Sequence, residues 1–147
     1  MVSWTKSQLP TPTNDLDKVA NDIDQWGYGL LEDALSEPLL TKTRARLLEQ
    51  AAAELQFGLA FEDGGPSQKW GDFRDSDGAL RSEVFTSANG GINQRVWLLP
   101  NKGEEFLEVL EINEMHEIVS HVLGEEFQLS SFSSNIAKPG GLKMDLH

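Results

Sequence analysis

Apolar side chains recur at helical spacing in three stretches of this chain and at strand spacing in others. Leu16, Val19, Ala20, Ile23 and Trp26 fall three or four apart, which predicts a short helix capped by Asn14 or Asp15 and stopped by Gly27. The segment GYGLLED, residues 27–33, is short, apolar and aromatic and reads as a strand. Ser36, Glu37 and Pro38 supply a capping hydroxyl, an early acid and an early proline, so a long helix starts there. Leu40, Leu47, Leu48, Ala51, Ala52 and Leu55 form its apolar stripe, and Gly58 ends it.

The period is lost over residues 61–92, a Gly/Asp-rich stretch with the length of a functional or mobile loop. QRVWLLP, residues 94–100, reads as a buried strand. Asn113 then caps EMHEIVSHVL, whose Met115, Ile118, Val119, Val122 and Leu123 share one side before Gly124. FQLSSFSSNIA, residues 127–137, follows as a strand, and LKMDLH begins another after Pro139-Gly140-Gly141. Residues 1–13, polar and holding Pro10 and Pro12, read as a flexible N-terminal arm, with one domain over 14–147. Helices with a few strands come first and a run of strands follows, which is an α+β order.

Charge narrows the partners. The chain has 147 residues, with 24 acids against 12 bases and a net charge of −12. A field of that sign repels phosphate backbones and disfavours nucleic acid. With no cysteine, disulfides, thiolate metal sites and cysteine nucleophiles are excluded together. No stretch approaches the roughly 18 apolar residues of a membrane span, and no apolar segment marks a signal peptide, so a cytoplasmic protein without membrane contact is expected.

Most motif-like stretches fail on spacing. Asp75-Ser76-Asp77-Gly78 resembles part of a calcium loop, but the first and twelfth ligand positions would hold Phe73 and Val84, so it reads as a polar turn. Gly64-Gly65-Pro66 and Gly90-Gly91 lack the Gly-Lys-Ser/Thr ending of a phosphate loop. His116 and His121 stand five apart, about 140° around a helix, and read as solvated histidines rather than a metal pair. The acids Glu104, Glu105, Glu108, Glu111, Glu114 and Glu117 read as a solvated face.

The strand 127–137 is less ordinary. Phe127, Leu129, Ser131, Ser133 and Asn135 would share one face; Gln128, Ser130, Phe132, Ser134 and Ile136 would share the other. Both mix small hydroxyls with apolar groups. Either the strand has one wet edge-strand face, or one face lines a polar cavity.

NQRVWLLPNKGEEFLEVL, HEIVSHVLGEEFQLSSFSSNIAKPGG and MDLH, in that order, resemble the phytanoyl-CoA dioxygenase family, as does the upstream YGLLEDALSEPLLTKTRARLLEQ. The likeness runs from about residue 16 to the end; order and spacing carry it more than any single motif. It implies N-terminal helices packed on part of a double-stranded β-helix, a jelly roll left incomplete in this chain. It further implies an Fe(II)- and 2-oxoglutarate-dependent oxygenase. His147 matches the first histidine of that family's His-x-Asp…His iron triad, whose other members would lie beyond it. Met144 falls where relatives set a side chain against 2-oxoglutarate. Arg95 falls on a strand where some carry a cation reaching that dianion, and Asn135 where many supply a polar contact. A one-residue slip of the strand would aim Ser134 inward instead.

The implied activity is hydroxylation of a small organic substrate. The charge of −12 disfavours a polyanionic CoA ester without a basic patch; the densest cationic cluster, Lys42, Arg44 and Arg46 on the long helix, does not make one, which favours a smaller, less charged substrate. The rival expectation is a non-catalytic truncated domain, a binding or assembly partner that self-associates through open strand edges.

Overall fold

The computed structural model describes residues 8–63, 76–77 and 93–139. Among the described residues four α-helices and three short strands follow one another as α1 (Leu16–Trp26), α2 (Glu37–Gln56), β1 (Phe61–Asp63), β2 (Asn93–Val96), α3 (Glu104–Leu110), α4 (Asn113–Leu123) and β3 (Ser134–Ala137). The fold is α+β. The chain divides into two compact units, one of Met1–Thr41 and Glu105–Leu129, the other of Lys42–Glu104 and Ser130–His147.

In the first unit α1 begins where the Asp15 carboxylate accepts from the Lys18 backbone N–H at 3.1 Å, satisfying a donor that the first turn leaves open. It ends at Gly27, whose φ of 78° suits a residue without a Cβ and whose N–H donates to Ile23 O at 2.8 Å. Val19 is buried from α1, and α1 packs on α4. His121 on α4 meets the Asp24 carboxylate of α1 at 3.0 Å. The residues expected as a strand at 27–33 form no ladder: Leu31 makes a single parallel bridge with Thr13, because the chain turns at Glu32-Asp33 before pairing can extend. That bridge and the buried Pro10 tie down residues 10–13 of the expected arm.

In the second unit a sheet of order β1-β2-β3 is antiparallel throughout. Along β2 alternation puts Gln94 and Val96 on one face, both buried, and Asn93 and Arg95 on the other, half-buried. The Gln94 amide donates to the Ala51 carbonyl of α2 at 2.8 Å. Ala51 is small enough for the strand to come close, and the hydrogen bond offsets the cost of burying an amide. The core here is Ala51, Ala60, Val96 and Leu99 with Gln94, Glu54 and Glu62. Lys102 meets Glu54, and Lys138 meets Glu62 at 2.7 Å, so both nearly buried carboxylates have a cation. Gly58 ends the helical stretch at φ 67°.

The buried positions of α2 are Ala51 and Glu54; Leu40, Leu48, Ala52 and Leu55 are exposed, so the leucine stripe is not the buried face. The expected strand 94–100 stops at Val96, because Leu98 takes a left-handed conformation and a 3₁₀ turn over Leu99–Asn101 follows. The expected strand 127–137 pairs only over Ser134–Ala137. One further bond, from Leu99 N–H to Phe132 O at 3.0 Å, lies one residue out of that register. The N-cap of α4 is Ile112, with Asn113 as the first helical residue and no side-chain cap. Ser36 does cap α2, accepting from Leu39 N–H at 3.4 Å. Among the described residues no helix is long and apolar enough to cross a membrane.

Candidate functional site

The register of the sheet decides which of the expected site residues meet. Arg95 is the direct partner of Phe61 on β1 and of Asn135 on β3, so Phe61, Arg95 and Asn135 form one row across all three strands. Directly opposed residues of an antiparallel pair share a face. That face is the one turned away from the Gln94–Ala51 bond, hence away from α2. Ser134 opposes Val96, whose side chain is fully buried, and lies on the α2 side. The question left by the mixed faces of 127–137 is therefore answered for its paired part: Asn135, not Ser134, shares a face with Arg95.

Trp97, two residues beyond Arg95, adds an aromatic wall. Its ring lies edge-to-face with Phe61 at 5.7 Å between centroids, and the Arg95 guanidinium carbon is 5.7 Å from its centroid. The ring contact restrains Arg95, and a guanidinium matches a carboxylate in a planar fork. The Asn135 amide can donate to the same oxygen-rich ligand. Chemically the row offers a cation, an amide and apolar walls: the donor set for a small carboxylate, not for a metal ion. Phe61 and Trp97 were not singled out from the sequence. Trp97 could have been found from its i, i+2 spacing to Arg95; Phe61 sits at the edge of a stretch with no period and left no such signal.

Met144 and His147 lie outside the described residues. His116 and His121 are both exposed, as expected. Each has a partner: His116 Nε2 contacts Leu110 O at 2.5 Å with Phe127 tilted against its ring, and His121 pairs with Asp24. Ser76 and Asp77 form an exposed turn. Of the acidic series, Glu105 is half-buried and Glu104, Glu108, Glu111, Glu114 and Glu117 are exposed. Among the described residues no three His, Asp or Glu side chains gather as a metal site would require.

No family model, curated protein or solved structure matches the chain.

The first unit holds a separate, half-open cleft of about 550 Å³, bordered by the turn before α2 and the start of α4. Leu31, Leu39 and Ile112 give it some apolar wall, while Glu32, Asp33, Glu111 and Glu114 make it acidic. These carboxylates are exposed.

Proposed function

We propose that this chain carries the N-terminal part of a double-stranded β-helix oxygenase that uses Fe(II) and 2-oxoglutarate to hydroxylate a small organic substrate. The observation that carries the reading is the opposition of Arg95 and Asn135 on the sheet face away from α2. A jelly roll needs its helices on the outside and its ligand-holding side chains on the inner face of the strands. The two residues expected at the co-substrate share one face, and the helix packs on the other.

In this reading Arg95 grips a carboxylate of 2-oxoglutarate through charge-assisted hydrogen bonds, and Asn135 donates to the same end of the molecule. The Trp97 ring would help to hold the guanidinium in place through its cation–π contact. Met144 would lie against the co-substrate and His147 would be one iron ligand, both on the strength of the resemblance alone. Iron, if held by His147 and the family's other ligands, would supply activation of oxygen coupled to decarboxylation of 2-oxoglutarate.

The test is succinate formation by the purified protein given Fe(II), 2-oxoglutarate and oxygen, with 2-oxoglutarate affinity measured by calorimetry. Arg95→Ala and Asn135→Ala should each weaken that affinity, the first about tenfold or more, since a hydrogen bond to a charged group contributes about 1.5–3 kcal/mol. Ser134→Ala, on the other face, should leave it unchanged. A protein that binds neither Fe(II) nor 2-oxoglutarate would overturn the reading. Concentration-dependent association of that protein would then favour the assembly-partner alternative.

A further inference from the structure

No further inference is drawn: the strongest candidate, the acidic cleft between the turn before α2 and the start of α4, is a cluster of exposed carboxylates with no second feature among the described residues to indicate what it would bind.

Discussion

Leu98 holds φ 55° and ψ 48°, a left-handed conformation that costs a branched L-residue roughly 1–2 kcal/mol. Leu98 is 62% exposed, so little burial offsets that cost. The conformation is imposed by its neighbours: the chain must leave β2 after Val96 and enter the 3₁₀ turn at buried Leu99, whose N–H is held by Phe132 O. Leu98→Asn, which tolerates this region through local hydrogen bonding, should stabilise the protein by about 0.5–1 kcal/mol in urea unfolding. A lower unfolding midpoint for that variant would mean that the exposed leucine has a packing role. Glu54 poses the opposite case. It is 8% exposed and its carboxylate accepts from Lys102 and from Gln50 at 3.0 Å, with Arg46 bonded to Gln50 in turn at 2.7 Å. Removing the cation leaves a nearly buried carboxylate supported by one amide, so Lys102→Met should cost about 2–3 kcal/mol. The double variant Lys102→Met, Glu54→Leu should regain most of that loss, because an apolar pair has no charge to desolvate. A single variant within about 0.5 kcal/mol of the parent would show the pair to be dispensable.

At the scale of elements, the helices were legible where the signal was local and the strands were not. Asp15, Ser36, Gly27 and Gly58 mark helix ends through their own backbone and side-chain chemistry, so they are found from single positions. Which face of α2 is buried depended instead on what it meets. Ala51 and Glu54 are chosen by the approach of Gln94 and Lys102, 43 and 48 residues away in sequence, and leucine count could not reveal that. Strand ends failed for a similar reason: VWLLP carries the composition of a strand throughout, yet the turn at Leu98 cuts it short. Two glycines beside α1 separate local from non-local causes again. Gly27 needs its φ of 78°, but a Cβ there would meet nothing within 4 Å. At Gly29 a Cβ would stand 2.8 Å from Val19 Cγ1 and 2.9 Å from the Val19 carbonyl, a backbone atom that cannot rotate away. Gly27→Ala should therefore cost about 1 kcal/mol, the usual left-handed cost. Gly29→Ala should cost about 2 kcal/mol or more by forcing the 28–30 segment off buried Val19. Thermal unfolding of the two variants side by side orders them, and the reverse order would deny the close approach.

For the molecule as a whole, the quantity most securely read from the sequence is its charge, and it predicts a salt response of definite sign. Twenty-four acids face twelve bases, so a net charge of −12 remains even if every base is paired. That excess repels itself in the compact state more than in an expanded chain. Raising salt from about 0.01 M to about 0.3 M shortens the screening length from about 30 Å to roughly 6 Å and removes most of the long-range repulsion. The same salt weakens ion pairs, which would act in the other direction. In the pairs that hold Glu54 and Glu62 the carboxylates are only about 10% and 9% exposed while Lys102 and Lys138 are 27% and 40% exposed, so these partly buried pairs are screened less than fully solvated ones. Lys18–Asp22 and Arg46–Glu49 are i,i+4 and i,i+3 pairs along single helices, and each contributes only a few tenths of a kcal/mol at most. Relief of repulsion should win. Tm in sodium chloride should rise across that range, by about 3 °C if the gain is near 1 kcal/mol for a chain of this size. A falling Tm would mean that the local ion pairs outweigh the net charge.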